Sequence, residues 1–217
     1  MVRCQGIVER NADGSLGLFV GTMMNLGVNA KFDQPTGLYT FHELKKQLPS
    51  FISHGMEGAV LLFDVDRLQR INDILGYLVG DEVLQRLGQK CQSMEGVISY
   101  RGPGGKFYCI TTEKSESALD RIYREVQRFS EEVPREMNLE IQLTISCGVA
   151  FFPQDAEDFE TLHANVEYAL EQAKKVGRGS IAQFSGQMHR KTVEKFRLQE
   201  FSVSLLPIIA EGLHWYT

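Results

Sequence analysis

The sequence predicts an α/β fold, with helices packed on a sheet of mixed strand pairing, and three observations carry that reading. From residue 39 onward, helical and strand patterns alternate in the order αβααββαβαβ, which favours a sheet covered by helices over an all-α or all-β layer. Two runs, Ala59–Phe63 and Glu140–Phe152, have the apolar, β-rich composition of buried strands. Segment 115–133 places Leu119, Ile122, Val126 and Phe129 on one helical side.

Taken in order, residues 3–9 and 16–24 read as two strands joined by the turn Asn11-Ala12-Asp13-Gly14. Two strands make no stable unit alone, so this hairpin is expected to be the tail of a domain whose remainder lies outside the chain; the alternative is a hairpin that packs on the main domain. Residues 25–35 form a linker. Phe41, Leu44, Leu48, Phe51 and Ile52 follow helical spacing over 39–53, with Pro49 expected to kink or break the helix. A strand at 59–64 leads into helices at about 67–75 and 81–94. Strands at 97–100 and 107–112 flank the turn Arg101-Gly102-Pro103-Gly104-Gly105-Lys106. After the helix at 115–133 comes a strand over 140–152, stopped by Pro153. A helix over 159–176, ended by Gly177, and a short strand at 180–184 complete the alternation. Residues 187–213 read as a further helix interrupted at Pro207, and the aromatic end Trp215-Tyr216 suggests a chain that continues.

Composition removes several classes of function. A chain of 217 residues, 43% hydrophobic and 24% charged, can bury an ordinary globular core. Its net charge of -5 gives no general reason to expect nucleic-acid binding. Cys4, Cys91, Cys109 and Cys147 lie too far apart for zinc-type spacing, and Cys109 and Cys147 sit in strand patterns as buried thiols. No apolar run approaches the ~18 residues of a membrane span, and Met1–Arg10 has no apolar signal core. A cytoplasmic location is expected.

The chemical content concentrates between Ala59 and Asp81. An apolar strand ends at Asp64 and Asp66, and a helix begins directly behind them. Carboxylates at a strand end can hold Mg²⁺, and N–H groups at a helix start can face phosphates. The same residues also suit a plain loop with a helix cap, so the spacing alone leaves both open.

Four separated motifs resemble those of the GGDEF domain family, whose active members are diguanylate cyclases. Asp33-x-x-Thr36-Gly37-Leu38 is similar to the family's opening motif. Asp64-Val65-Asp66-x-Leu68-x-x-Ile71-Asn72-Asp73-x-x-Gly76-Tyr77-x-x-Gly80-Asp81 resembles its strand–helix motif. Thr144-Ile145-Ser146-Cys147-Gly148 and Ala169-Leu170-x-x-Ala173-Lys174-x-x-Gly177-Arg178 resemble two later ones. The resemblance covers 33–185 and implies a nucleotide-cyclase or palm-like α+β sandwich with a mixed, largely antiparallel central sheet. Residues 1–32 are similar to the last two strands of PAS sensor domains plus a linker. Residues 186–217 resemble a connector into an EAL phosphodiesterase domain.

The family signature R-x-G-G-D/E-E-F stands here as Arg101-Gly102-Pro103-Gly104-Gly105-Lys106-Phe107, so Gly105 and Lys106 replace both acids. In active members the first acid joins the strand-end Asp in holding two Mg²⁺ ions, which activate the ribose 3′-hydroxyl and neutralise the triphosphate. Asp64 and the Val65 carbonyl alone remain as a weak residual metal site. Lys106 is expected to pair with Asp64 instead, an attraction of about 4 kcal/mol at ~4 Å and an effective dielectric near 20, before desolvation. Gln69 replaces a phosphate-contacting Lys, and Tyr77 replaces a His. Met94 and Val97 stand where an inhibitory cyclic di-GMP site would need Arg and Asp, so feedback there is not expected.

The resemblance carries a guanine-contacting pair onto Asn72 and Asp81 and a phosphate-binding pair onto Lys174 and Arg178, with Arg67 and Leu68 as further nucleotide-side positions. Plainer roles stand beside these: a local hydrogen bond for Asn72, a helix N-cap for Asp81 and a solvated last turn for Lys174 and Arg178. The resulting expectation is a catalytically degenerate GGDEF domain, not an enzyme. It would relay a sensor signal to an effector of the same polypeptide, bind a guanine nucleotide and depend little on Mg²⁺. A homodimer is compatible with it; nucleic acid and membrane are not expected partners. The alternatives are an active diguanylate cyclase and a nucleotide-free dimerisation or scaffold module.

Overall fold

The computed structural model describes residues 31–186 and, as backbone alone, 2–10 and 16–25. β1 (Val2–Arg10) and β2 (Leu16–Asn25) pair antiparallel, with a register shift at Glu9/Arg10. These are the two strands expected at the start of the chain; their turn and the helix expected over 187–213 lie outside the described residues.

The main body runs β3 (Tyr39–Thr40), α1 (Phe41–Ser53), β4 (Gly58–Val65), α2 (Leu68–Leu75), α3 (Tyr77–Ser93), β5 (Ile98–Arg101), β6 (Lys106–Thr111), α4 (Glu116–Glu136), β7 (Ile145–Phe152), α5 (Phe159–Val176) and β8 (Ile181–Gln183). These strands form one sheet in the order β3-β5-β6-β4-β7-β8. β4 lies antiparallel to both β6 and β7, β5 is antiparallel to β6, and parallel pairing occurs at the two ends, β3 with β5 and β7 with β8. The sheet is mixed and largely antiparallel, flanked by helices on both faces, as the family resemblance implies.

β4 explains its own sequence. Ala59, Leu61, Phe63 and Val65 face a core shared with Leu84 and Leu87 of α3 and Ile122 and Val126 of α4. Val60 and Leu62 face the opposite core, with Leu44 and Leu48 of α1 and Leu162, Val166 and Leu170 of α5. A strand covered on both faces has no polar side to alternate with, so it reads as an unbroken apolar run. α5 lies so close to the sheet that a Cβ at Gly148 would fall 2.4 Å from the Val166 carbonyl oxygen and the Leu170 nitrogen. Cys91, Cys109 and Cys147 are buried free thiols. No described helix is long and apolar enough to cross a membrane.

Among the differences from expectation, four have a local cause. Tyr39 and Thr40 form the short strand β3 rather than the start of a helix, because they pair with Tyr100 and Arg101. α1 runs through Pro49, where both Pro49 and Lys45 are exposed, so the carbonyl that loses its donor meets water. α3 starts at Tyr77, not at 81, because Gly76 at φ +88° separates it from α2. β7 starts at Ile145, not at 140, because its partner β4 ends at Val65, which lies opposite Ile145.

Candidate nucleotide site where β4 meets the signature turn

The β5–β6 turn is built around one left-handed residue. Lys106 N–H donates to the Pro103 carbonyl at 3.2 Å and Gly102 N–H to the Lys106 carbonyl at 2.9 Å. Gly104, between them, has φ +61°, a region that favours glycine. Arg101 folds over the turn, donating to the carbonyls of Gly102, Gly104 and Lys106, and its guanidinium lies 4.7 Å from the centre of the buried Phe107 ring. Burial pulls the Arg101 pKa down from its ordinary value, opposed by the carboxylates of Asp33, Asp64 and Asp81. The turn docks on the end of β4 through the Val65 N–H, which donates to the Gly105 carbonyl at 3.1 Å.

Asp64 and the Val65 carbonyl do converge on the turn. A Cβ at Gly105 would lie 2.9 Å from Asp64 Oδ1 and 3.2 Å from the Val65 oxygen, so the position of the first signature acid faces both residual metal ligands and brings no side chain to them. Asp64 is instead held by Lys174 Nζ. The expected Lys106–Asp64 pair is therefore corrected: the two are opposite in the ladder, yet Lys106 Nζ lies 2.7 Å from both carboxylate oxygens of Glu167. α5 causes this by crossing the sheet with Glu167 beside Lys106 and, seven residues on, Lys174 beside Asp64. Glu167 also accepts from the Tyr108 hydroxyl at 3.2 Å, and that hydroxyl meets His163 Nε2 at 2.9 Å. Burial, followed by Glu167, drives the Tyr108 pKa well above its ordinary value.

Asp66 needs a second correction, because at the strand end it suits a metal equally well in sequence. It is buried and accepts from the hydroxyls of Thr144 and Ser146 at 2.8–2.9 Å and from the Gly179 N–H at 3.2 Å. It ties β4, β7 and the turn after α5 together. With Asp64 paired, Asp66 enclosed and residue 105 a glycine, this donor set does not fit a divalent cation, and no group of three or more His, Cys, Asp or Glu side chains among the described residues could hold one.

Asp64, Val65, Arg67, Leu68 and Asn72 share a cleft of about 480 Å³ with Gln69 and the Pro103–Lys106 turn. Asn72 Oδ1 is buried without a hydrogen-bond partner, turned toward Gly80, where a Cβ would sit 1.8 Å away. Asp81 is exposed within α3, so the N-cap reading for it fails: the helix has already begun four residues earlier. Arg178 is exposed and lines a neighbouring cleft that also includes Arg67. Met94 is buried in the core, and the partly buried Val97 packs against it. Sequence reasoning missed Glu167, Tyr108 and His163; His163 and Glu167 lie four apart on α5, a spacing that shares a helix face, but only the height of α5 over the sheet shows what they meet.

The sequence profile described as "Diguanylate cyclase, GGDEF domain" matches residues 30–180. The cyclic di-GMP phosphodiesterase NbdA of Pseudomonas aeruginosa is 29% identical over 180 residues, covering 79% of this chain and 23% of that protein. The diguanylate cyclase VdcA of Vibrio cholerae is 25% identical over 159 residues, covering 70% of this chain and 47% of that protein. The chain thus spans less than half the length of either relative. Among solved structures, the GGDEF domain of Pseudomonas aeruginosa TpbB (YfiN) superposes with a TM-score of 0.64 at 23% identity, covering 74% of this chain and 98% of that one. A sensory box/GGDEF family protein from Caulobacter crescentus does so at 0.56 and 27%, covering 68% and 100%. By the profile match over more than half its length, this chain belongs to the GGDEF domain family.

Proposed function

We propose that this chain is a GGDEF domain that binds a guanine nucleotide without cyclising it and serves a regulatory role in a cyclic di-GMP signalling protein. One observation carries the reading: Asp64, facing the position of the first signature acid, is neutralised by Lys174, while that position is Gly105. Attack by a ribose 3′-hydroxyl with loss of pyrophosphate needs the nucleophile activated and the triphosphate neutralised. No second carboxylate joins Asp64 for a cation, and Lys106 is anchored to Glu167. The nucleotide half of the proposal rests on Asn72, whose buried, unpartnered carbonyl can accept from the N–H edge of guanine, with Asp81 one residue beyond the Gly80 it packs against. Lys174, Arg178, Arg67 and Leu68 are its phosphate-side candidates. The same proposal places a PAS-like hairpin at 1–32, the regulatory domain at 33–185 and a connector at 186–217, in a cytoplasmic protein whose sensor and effector are its own neighbouring domains.

Titrating the purified protein with GTP, with and without Mg²⁺ or Mn²⁺, while assaying cyclic di-GMP tests the reading. Guanine-selective binding without product is the expected result. Turnover above a blank, abolished by Asp64→Ala, would establish a cyclase. Equal affinity for ATP and GTP, or no binding of either, would leave a dimerisation or scaffold module.

A further inference from the structure

We infer that the phosphates of the bound nucleotide are neutralised by an arginine-lined cleft beside the signature turn, built from Arg67, Arg70 and Arg178, in place of a divalent cation. This rests on the guanine-nucleotide reading above, keeps Arg67 and Arg178 from its phosphate-side candidates, and adds Arg70 and the substitution of guanidiniums for a cation.

The cations nearest the turn are already committed. Lys106 is held by both oxygens of Glu167, Lys174 by Asp64, and Arg101 by three carbonyls of its own turn. Gln69, which lines the 480 Å³ cleft with Asn72, is neutral. Arg67, Arg70 and Arg178 differ from all of these: each is exposed and none takes part in an ion pair among the described residues. The three line a single cleft of about 600 Å³. Arg67 at the start of α2 lines both this cleft and the 480 Å³ cleft that holds Asn72, so its side chain borders the two. Of the two carboxylates on the arginine-lined wall, Asp66 is enclosed by the Thr144 and Ser146 hydroxyls and the Gly179 N–H, which leaves Glu140 as the opposing charge. Arg67 is also held at φ 55°, ψ 34°, a left-handed conformation that bulky residues rarely take and that concentrates where a ligand site fixes the backbone. Guanidiniums suit phosphate because their planar donors bind it two at a time and keep their charge at any working pH. A base seated at Asn72 can therefore extend its phosphates past Arg67 into a wall of uncommitted positive charge.

The test is calorimetric titration of the whole chain in EDTA with GMP, GTP and inorganic tripolyphosphate. Affinity should rise from GMP to GTP without metal. Arg67→Gln combined with Arg70→Gln should weaken GTP and tripolyphosphate by about tenfold or more while leaving GMP within about twofold. Lys46→Gln, at an exposed lysine paired with Glu43 on α1, should change none of them. If GTP binds but the double variant keeps the GTP-to-GMP ratio, the arginine cleft is overturned while the guanine reading stands. Arginine-dependent tripolyphosphate binding without guanine selectivity supports the cleft and removes the guanine reading. Phosphate affinity that appears only with Mg²⁺ overturns the cleft as well.

Discussion

Returning an acid to the second signature position should weaken this protein, because Lys106 is the counter-ion of Glu167. In Lys106→Glu, two contacts of 2.7 Å are lost and a second carboxylate is placed beside the first. Like charges at ~4 Å and an effective dielectric near 20 repel by about 4 kcal/mol. That is an upper value, since the two side chains are 29% and 26% exposed and can turn partly toward water. With that repulsion largely relieved by solvent, the lost charged hydrogen bonds set the expected destabilisation, about 1.5–3 kcal/mol. Denaturant unfolding near neutral pH measures it, and the charge swap Lys106→Glu with Glu167→Lys should recover more than half. The deficit of Lys106→Glu should also shrink as pH falls into the carboxylate range, because one member of a crowded acidic pair then takes a proton. A single variant within about 0.5 kcal/mol of the parent, or a swap no better than the sum of its two changes, would refute the argument. The same geometry predicts that Gly105→Asp with Lys106→Glu makes no cyclic di-GMP. The new Asp is crowded against the Val65 carbonyl, the new Glu faces Glu167, and Asp64 stays on Lys174.

Other expectations follow from neighbouring contacts. Lys174→Met leaves the 15% exposed Asp64 side chain without its cation and should cost about 1–3 kcal/mol; adding Asp64→Asn should return part of that, and strict additivity in a double-mutant cycle would show that the pair is not formed. Asp66→Ala strands the Thr144 and Ser146 hydroxyls and should cost about 2 kcal/mol or more with or without Mg²⁺, whereas a loss seen only in the presence of metal would restore Asp66 as a ligand. Burial chiefly, aided by Lys106 and Lys45 against Glu167 and Glu160, lowers the His163 pKa from 6.5. The unfolded chain therefore takes that proton first, so the stability His163 contributes is complete above 6.5 and is lost as pH falls through its folded value. His163→Gln should flatten that slope, and an imidazole titrating above 6.5 by NMR would reverse the sign.

How much could be read in advance depended on whether a residue's role was local. α5 was legible to its ends because Asp158 caps it, accepting from the Thr161 N–H at 2.8 Å, and Gly177 stops it. β4 was legible because both its faces are buried. The start of α3 was not, since Gly76 and Gly80 look alike in sequence. Gly76 is needed for its positive φ, and Gly80 for the room its missing Cβ gives Asn72. Residues 140–144 have strand composition but no strand beside them once β4 ends. At the site, the family motifs brought Asp64 and Gly105 together correctly. The partner of Lys106 was hidden because it depends on how α5 lies across the sheet, which no spacing within β6 encodes. Asp66 was hidden for a similar reason: its donors come from residues 144, 146 and 179, far along the chain.

The two crossings between sheet and helix also decide how a nucleotide could enter. A metal-dependent site holds carboxylates that await a cation, and leaving such groups partly buried and unpaired is costly. Here each carboxylate already has an internal partner: Glu167 has Lys106 and Asp64 has Lys174. An incoming phosphate is attracted to Lys174, but drawing that ammonium away would strand Asp64 at the end of a buried strand. The stranding would cost about 1–3 kcal/mol, comparable to the gain from one new charge-assisted contact, so the exchange is close to neutral. Arg67, Arg70 and Arg178 carry no such penalty, because none leaves a carboxylate behind when it turns to a phosphate. Phosphate binding through them leaves both internal pairs in place. The signature turn should then stay docked on α5 whether or not nucleotide is present. Amide hydrogen exchange at Lys106 and Phe107 that is unchanged by GTP would agree with this, while exchange that accelerates on binding would mean that one of the two pairs had opened.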